Sequence, residues 1–354
     1  MRTFDVVIVG AGGIAGVHAG DLARLGSRAK VVAAVDVDAE RLRAFAEKFD
    51  IPRTYASLED MLAAEDPDLI DLCTPPGLHR DQALACLADS RTVLCEKPPA
   101  LSLIELDDIA AAGGSFATVS QHRFGSGAVN LRKLIAAGDL GRPMTAVCHT
   151  LWYRPDEYFQ VPWRGKWELE GGGPTMGHGI HQMDLMLSIL GPWRSVVATA
   201  SRRARPTQTE DLSCAIVTFD SGAVASVVNS LLSPRETTYL RFDFEHATVE
   251  LEHLYGYQDK SWRITADPDR TQAWQALPGG LSSGHAAQFG AVFDALERKE
   301  PPPVTLPDAR MTLELIAAIY ASAFTDRSVK RGEIGPRSPF YQRMDGSGAP
   351  WGRA

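Results

Sequence analysis

The chain has 354 residues, which by default corresponds to two domains, and 45% of them are apolar, enough for a packed core. Its formal net charge is −8 at pH 7, so its overall field does not favour nucleic acid as a partner. No apolar run reaches about 18 residues, so we expect no membrane span. The five cysteines include no C-x-x-C pair, which predicts reduced thiols in a cytoplasmic protein.

The first part of the chain, up to about residue 120, alternates short apolar runs with helical patterns. The runs expected to be strands buried on both faces are FDVVIVG, KVVAAVD, DLIDLCT, TVLCEKP and FATVSQ. A helical pattern follows each of the first four. Repeated strand–helix units predict an α/β domain, with a doubly wound parallel sheet and helices on both faces, over residues 1–121.

The character of the sequence changes after about residue 122. Longer runs with looser alternation follow, and TFDSGAVA reads as a hairpin because Asp-Ser-Gly separates two apolar stretches. Antiparallel strands after a strand–helix block predict an α+β domain over residues 122–330, closed by helices near 285–298 and 308–324. The segment 331–354 is rich in Gly, Pro and Ser and is expected to be an extended arm, which could lie on a neighbouring subunit.

A glycine loop follows the first strand. Gly10, Gly12 and Ala15 have the spacing G-x-G-x-x-A, which suits a tight turn, close approach of a pyrophosphate and close packing of helix on strand. The helix N-terminus offers free N–H groups to phosphate. Asp36 ends the second strand, where a carboxylate can bind both ribose hydroxyls and repel a 2′-phosphate. The pattern favours NAD over NADP; the alternative is a glycine turn that holds no ligand.

Two further strands end in proline-bounded loops. CTPPGLH occupies residues 73–79 and CEKPPA occupies residues 95–100. Ligands bind at the carboxyl ends of strands in such sheets, so Glu96 and Lys97 are expected at the mouth of the crevice. A lysine there can hydrogen-bond a substrate oxygen or act as an acid or base. The alternative is a solvated surface charge.

The segment EGGGPTMGHGIHQMD places His178, His181 and Asp184 three residues apart. On a helix that begins near Gly177, these positions could share one face. A metal site is one interpretation, although metal pairs on a helix usually have the spacing i, i+4, and we expect no metal ligand here. A purely structural helix start is another. Catalysis is favoured, mainly because Lys97 and the cofactor loop occur in the same chain.

Six motifs in order resemble the family of glucose-fructose oxidoreductase and inositol dehydrogenase. They are GAGGIAGVH, TPPGLH, EKPPA, QHRF, WR and GGGPTMGHGIHQMD. The resemblance implies an NAD(P)-dependent oxidoreductase that acts on a secondary alcohol or ketone of a sugar, cyclitol or related polyol. It also implies a Rossmann domain followed by an α+β domain with an open, mostly antiparallel sheet, through which a homodimer or homotetramer would form.

By position, the resemblance makes Lys97 and His181 the catalytic residues. It expects a cofactor site formed by Gly10, Gly12, Gly13, Ile14, Asp36, Thr74, Pro75, His79, Glu96 and Lys97. It expects a substrate site formed by His122, Arg123, Trp163, Arg164, His178 and Asp184. One position departs from the family, because Gly177 stands where many members carry an aspartate; the two alternatives for its role are His178 and a water molecule.

The expected reaction is hydride transfer between nicotinamide and the substrate's CH–OH carbon. His181 would take the hydroxyl proton, and Lys97 would stabilise the charge that develops on the oxygen. Two other classes of function are possible. One is a hydrolase or lyase that recycles bound NAD, and the other is a non-catalytic sensor of dinucleotide and sugar. The motifs do not specify the substrate, the reaction direction or the tolerance for NADP.

Overall fold

The computed structural model describes residues 2–352. The chain forms two compact units. The first comprises the chain up to Ala100, with Glu105–Val119 and His285–Ala309, and the second comprises Leu101–Ile104, Ser120–Gly284 and the chain from Arg310 on. Among the described residues, no helix is both long and apolar enough to cross a membrane.

The first unit is built on a parallel sheet of six strands with the order β3-β2-β1-β4-β5-β6. The strands are β1 (Phe4–Val9), β2 (Ala29–Val35), β3 (Arg53–Tyr55), β4 (Leu69–Leu72), β5 (Val93–Cys95) and β6 (Phe116–Thr118). The predicted doubly wound parallel sheet is therefore confirmed. Sequence patterns missed β3, because this short edge strand is largely exposed and carries no apolar run.

Helices connect these strands. They are α1 (Gly13–Arg24), α2 (Ala39–Phe49), α3 (Leu58–Ala64), α4 (His79–Ala88) and α5 (Leu103–Ala112). The Asp38 and Ser57 side chains cap α2 and α3 by accepting backbone N–H groups of the first turn, which explains where these helices begin.

The helix His285–Glu297, numbered α11 in chain order, also belongs to the first unit. The sequence-based division assigned this segment to the second domain, and the structure differs. Phe289, Val292 and Phe293 are fully buried in the apolar core beside β1, and the rings of Phe4 and Phe293 stack with centroids 4.8 Å apart. Burial of these apolar side chains explains why a helix so late in the chain packs in the first unit.

The second unit contains a sheet of eight strands with the order β13-β12-β11-β7-β10-β9-β8-β14. The strands are β7 (Pro143–Tyr153), β8 (Trp193–Ser201), β9 (Leu212–Phe219), β10 (Val224–Ser230), β11 (Leu232–Phe244), β12 (Ala247–His253), β13 (Trp262–Ala266) and β14 (Val329–Lys330). All neighbours are antiparallel except β7 and β10. The mostly antiparallel sheet and the β9–β10 hairpin are confirmed.

Two short helices, α7 (Trp167–Glu170) and α8 (Pro174–Gly177), flank the glycines of the second unit. The other helices described in this unit are α6 (Ser126–Ala137), α9 (Ile180–Leu190), α10 (Pro268–Gln275), most of α12 (Leu306–Thr325) and α13 (Pro339–Gln342). The predicted extended arm is instead packed within this unit. Phe340, Tyr341 and Met344 are buried, and the Phe340 ring lies 6.2 Å from that of Phe324. Burial of these apolar side chains keeps the segment packed although its composition favours turns.

Candidate functional site

The glycine loop of the first unit has the geometry that a dinucleotide requires. Gly10 has φ +97°, and a Cβ there would lie 2.9 Å from the carbonyl oxygen of Cys73, so only glycine fits. At Gly12 and Gly13, by contrast, an added Cβ would meet nothing within 4 Å, and Ile14 is half-buried. Gly12 provides no side-chain cap for α1, so the first N–H groups of this helix can bind a pyrophosphate.

Asp36 follows β2 and presents a fixed negative charge beside this loop. Its carboxylate accepts the N–H of Ala11 at 2.8 Å and that of Asp38 at 2.9 Å, and it also pairs with Arg41 at 2.7 Å. Burial alone would raise the pKa of Asp36, but the hydrogen bond from Arg41 and those from the backbone hold it below its usual value. The ionised carboxylate suits ribose hydroxyls and disfavours a 2′-phosphate.

The two proline loops are joined by His79, which is completely buried. Its ring nitrogens lie 2.8 Å from the carbonyl oxygens of Thr74 and Pro98, so the ring bridges the loops after β4 and β5. Pro75 is exposed at the tip of the first loop. The structure therefore brings the predicted loops together, with His79 beneath them rather than at their surface.

Glu96 and Lys97 follow β5 but lie in different environments. Lys97 is half-buried, and its N–H donates to Oε2 of Glu96 at 2.9 Å. The Glu96 side chain is buried, and its Oε1 lies 3.1 Å from Nε2 of His18. Glu96 thus faces the interior of the first unit, which favours a supporting role over direct contact with the cofactor.

The second unit does not place His178, His181 and Asp184 on one helix. The chain leaves helical geometry at His178, which follows α8, and α9 begins only at Ile180. Gly179 approaches Asn229 so closely that an added Cβ would lie 1.9 Å from its Oδ1. The expectation that all three residues share one helix face is therefore wrong, because His178 has φ −121° and lies between the two helices, whereas His181 and Asp184 are on α9.

His181 lies instead beside a second histidine. The rings of His122 and His181 stack with centroids 5.2 Å apart, and Nε2 of His122 lies 3.1 Å from the carbonyl oxygen of Tyr255. His253 approaches the other edge of His122 at 5.4 Å. Burial, followed by the nearby His122, lowers the pKa of His253 to about 3. The structure thus brings two of the predicted residues together and adds a neutral histidine beside them.

Asp184 is bound by other side chains of the second unit. Both of its oxygens accept from the guanidinium of Arg123 at 2.7 Å, and Oδ1 also accepts from the hydroxyl of Thr312 at 3.1 Å. Asp184 is 4% exposed. With its oxygens engaged by protein donors, Asp184 is suited to holding the His122–Arg123 turn against α9.

A second group of side chains surrounds His178. Its Nε2 lies 3.2 Å from the hydroxyl of Tyr158, and the guanidinium of Arg164 lies 3.9 Å from the centre of the Tyr158 ring. The same guanidinium lies 4.4 Å from the Trp163 ring. Trp152 contacts the edge of the His178 ring. Aromatic faces with nearby donors are the groups that bind polyhydroxylated rings.

Two buried carboxylates were missed by the sequence analysis. Glu170 accepts the N–H of Gly165 at 2.5 Å, and its Oε1 lies 3.6 Å from the Cβ that a side chain at Gly177 would have. Glu210 accepts the N–H groups of Gly173 and Thr175 at 3.0 and 3.1 Å. Glu210 thus holds the glycine-rich segment before His178, and Glu170 holds the turn at Gly165. Glu210 has no local sequence signal, because its partners are more than 30 positions away.

Comparison with known proteins covers both units. The family described as "Oxidoreductase family, NAD-binding Rossmann fold" matches residues 4–114, and "GFO/IDH/MocA C-terminal domain" matches residues 128–250. These matches confirm the predicted family resemblance and the expected use of NAD.

Similar proteins extend over nearly the whole chain. D-apiose dehydrogenase of Paraburkholderia graminis is 26% identical, with 88% of this chain and 85% of that protein covered. D-glucoside 3-dehydrogenase of Escherichia coli is 27% identical, with 92% and 97% covered. The crystal structure of the WlbA dehydrogenase from Bordetella pertussis, in complex with NADH and UDP-GlcNAcA, has a TM-score of 0.82 at 28% identity, with 93% and 99% covered. The chain therefore belongs to the GFO/IDH/MocA family of NAD-binding oxidoreductases.

Proposed function

We propose that the protein is an NAD-dependent dehydrogenase or reductase acting on a secondary alcohol or ketone of a sugar, cyclitol or related polyol. The observation that carries the proposal is the glycine loop of the first unit, where open space at Gly12 and Gly13 adjoins the fixed carboxylate of Asp36. Relatives that are dehydrogenases of apiose and of glucosides support the substrate class.

The proposed chemistry needs a base and a group that stabilises negative charge. NAD supplies the acceptor for the hydride that leaves the substrate carbon. An imidazole nitrogen of His181 takes the hydroxyl proton, since imidazole titrates near neutral pH. The Lys97 ammonium donates a hydrogen bond to the same oxygen and stabilises its developing charge. In the reverse direction, the same two groups assist reduction of a ketone.

The proposed substrate groups divide by what they contact. Trp163, Arg164 and His178 adjoin Tyr158 and would orient hydroxyls of the substrate, as would His122 beside His181. Arg123 and Asp184 would act through position, because they are bonded to each other. The buried carboxylate of Glu170 would take the place left by the missing side chain at Gly177.

The test is NADH formation, followed by absorbance, with NAD and a panel of aldoses, cyclitols and polyols. Lys97→Ala should lower turnover by about 100-fold or more while binding of NADH stays nearly unchanged. Lys133→Ala, which removes an exposed lysine of α6, is the matched control and should behave like the wild type.

Three outcomes would count against the proposal. Unchanged turnover in Lys97→Ala would remove Lys97 from the mechanism. Turnover of glycosides without net NADH would indicate a hydrolase or lyase that recycles NAD. Binding of NADH and sugar without turnover, in either direction and across the whole panel, would indicate a sensor.

We also propose that a second copy of the chain covers the more exposed face of the eight-stranded sheet, giving a homodimer or homotetramer. Val197 and Ile216 are neighbours in the β8–β9 register, and their side chains are 55% and 52% exposed. Burial of such apolar neighbours favours self-association. Ile216→Asp should lower the mass measured by light scattering, whereas Leu281→Asp, at an exposed loop position, should not. An unchanged mass in Ile216→Asp would contradict this interface.

A cytoplasmic location is part of the same proposal. The five cysteines are free thiols, and Cys73, Cys86, Cys95 and Cys148 are buried. Unpaired buried thiols are usual in a reducing compartment. Fractionation of the native cells, with the protein found outside the soluble cytoplasmic fraction, would contradict it.

A further inference from the structure

A buried histidine of the first unit lies between two carboxylates that come from different strand ends. Nδ1 of His18, on α1, is 2.8 Å from Oδ2 of Asp71, and its Nε2 is 3.1 Å from Oε1 of Glu96. His18 and Asp71 have no exposed surface, and Glu96 is 4% exposed. The function proposed above makes no use of this cluster.

The geometry at His18 indicates an imidazolium. A neutral imidazole has one N–H donor and one lone pair, and the lone pair would then face a carboxylate oxygen. Only the doubly protonated ring can donate to Asp71 and Glu96 together. Burial alone lowers the pKa of His18, but the charge of Asp71 and its hydrogen bond raise this pKa well above the usual value. Burial alone raises the pKa of Glu96, but His18 and His285 hold it well below its usual range.

The remaining polar neighbours of His18 are a thiol and a second histidine, which itself faces carboxylates. The thiol of Cys73, which follows β4, is 3.3 Å from Nδ1, and burial raises the pKa of this thiol to about 12. The ring of His285, on α11, lies 4.3 Å from that of His18, and its nitrogens face Asp21 and Glu96 at 3.6 and 3.7 Å. Three carboxylates therefore surround the two rings.

Lys97 lies between two residues that buried histidines hold. Glu96, on one side, is bound by His18 and accepts the N–H of Lys97. Pro98, on the other side, presents its carbonyl oxygen to His79 at 2.8 Å. The backbone on both sides of Lys97 is thus tied to the interior of the first unit, as pre-organisation of a catalytic side chain requires.

We propose that His18 is a permanently protonated positioning residue, which together with His79 fixes the strand end that carries Lys97. The proposal that Lys97 is the group being positioned rests on the function proposed above, whereas the charge state of His18 does not. His18 bridges Asp71 and Glu96 as a cation, and it acts on the reaction only through the backbone of residues 96–98.

The first test is nitrogen NMR of the imidazole rings in the wild-type protein at about pH 9. Ordinary histidines, with a pKa near 6.5, are neutral at that pH. We expect the His18 ring to remain an imidazolium, with a signal that disappears in His18→Gln and persists in His246→Gln, which removes an exposed histidine. If His18→Gln does not fold, Asp71→Asn and Glu96→Gln should each shift the same signal.

Two results of this experiment would overturn the proposal. One is a spectrum in which all nine histidines are neutral at this pH. The other is stoichiometric zinc in the purified protein that is lost in His18→Gln, since a metal bound at His18 requires an unprotonated ring nitrogen. Neither result depends on the role of Lys97.

The second test separates positioning from general destabilisation. Glu96→Gln and His18→Gln should lower kcat by about 10- to 100-fold, because small displacements of a catalytic group have effects of this size. The Kd for NADH, measured by fluorescence, should change less than about threefold, and the pH profile of kcat should keep its shape. An unchanged kcat, or an equal loss of NADH binding, would overturn the positioning role. A fully active Lys97→Ala would instead remove Lys97 from the proposed mechanism and leave the NMR result standing.

Discussion

Arg123 and Asp184 form a two-pronged ion pair inside the second unit. Nε and Nη2 of Arg123 each donate to a different oxygen of Asp184 at 2.7 Å, and the two side chains are 14% and 5% exposed. Such paired donors fix direction as well as distance. The pair joins the turn that carries His122 to the helix that carries His181, so the histidine stack depends on it.

Removing one partner should be costly. Asp184→Asn leaves the largely buried guanidinium of Arg123 without its counter-charge, and the free energy of unfolding should fall by about 3 kcal/mol. The exposed pair of Arg43 and Glu47 is the matched control, and Glu47→Gln should change stability by less than about 0.5 kcal/mol. Urea unfolding measures the free energy of unfolding of both variants. Equally small effects would show that the Arg123–Asp184 pair contributes no more to stability than the exposed pair.

The choice of cofactor should depend on Asp36. Asp36→Ala removes the acceptor expected for the ribose hydroxyls, so KM for NAD should rise by about 10- to 100-fold. It also leaves Arg41 without the partner that it holds at 2.7 Å, and Arg41 can then bind a 2′-phosphate. The ratio of kcat/KM for NADP to that for NAD should therefore increase. Asp81→Ala, at an exposed position of α4, should leave the ratio unchanged; an unchanged ratio in Asp36→Ala would contradict the assignment.

The His18–Glu96 contact should give stability a pH window. The pKa of Glu96 is lowered by folding, so its contribution is present above about pH 4.5 and is lost as the pH falls through the folded value. The pKa of His18 is raised, so its contribution is complete below about pH 6.5 and is lost as the pH rises through the folded value. The pair should therefore stabilise most between these limits.

Urea unfolding between about pH 2 and 9 tests this window, because the loss at Glu96 lies below its unfolded pKa of about 4.5. Glu96→Gln should flatten the acid side of the profile, and His18→Gln should flatten the alkaline side. His246→Gln provides the profile of a protein that has lost only an exposed histidine. Parallel profiles in the wild type and His18→Gln would mean that folding does not raise the pKa of His18.

His253 should act in the opposite direction in acid. Its pKa in the folded protein is about 3, mainly because of burial, whereas an unfolded histidine titrates near 6.5. The unfolded state then binds the proton first, so stability should fall by up to about 1.4 kcal/mol per pH unit below pH 6.5. His253→Leu should remove this part of the slope. The same slope in His253→Leu and the wild type would be evidence against a neutral His253.

The glycine-rich segment should tolerate no side chain at Gly173. An added Cβ would lie 1.9 Å from the carbonyl oxygen of Glu210, and Gly173→Ala should therefore destabilise the protein by about 3 kcal/mol. Gly20, inside α1, has nothing within 4 Å of its added Cβ, and Gly20→Ala should stabilise by about 0.5 to 1 kcal/mol. Thermal unfolding compares the two, and a neutral Gly173→Ala would contradict the packing at Glu210.

The sequence by itself determined the features that local chemistry encodes. Short apolar runs such as residues 6–9 of β1 are typical of strands covered on both faces, and their alternation with helical patterns predicted the parallel sheet. Gly10 indicated the cofactor loop, because glycine is the residue that readily adopts the positive φ found there. The Asp-Ser-Gly sequence after β9 predicted the hairpin, because these residues favour a tight turn between two strands.

Only the tertiary structure decided which distant groups meet. His18 and Glu96 are 78 positions apart, and Arg123 and Asp184 are 61 apart, so no local pattern connects them. The return of α11 to the first unit has the same origin, because it depends on neighbours supplied by a remote part of the chain. Periodicity predicts which face of a helix or strand is buried. Which residues pack against that face depends on packing and charge in the folded chain.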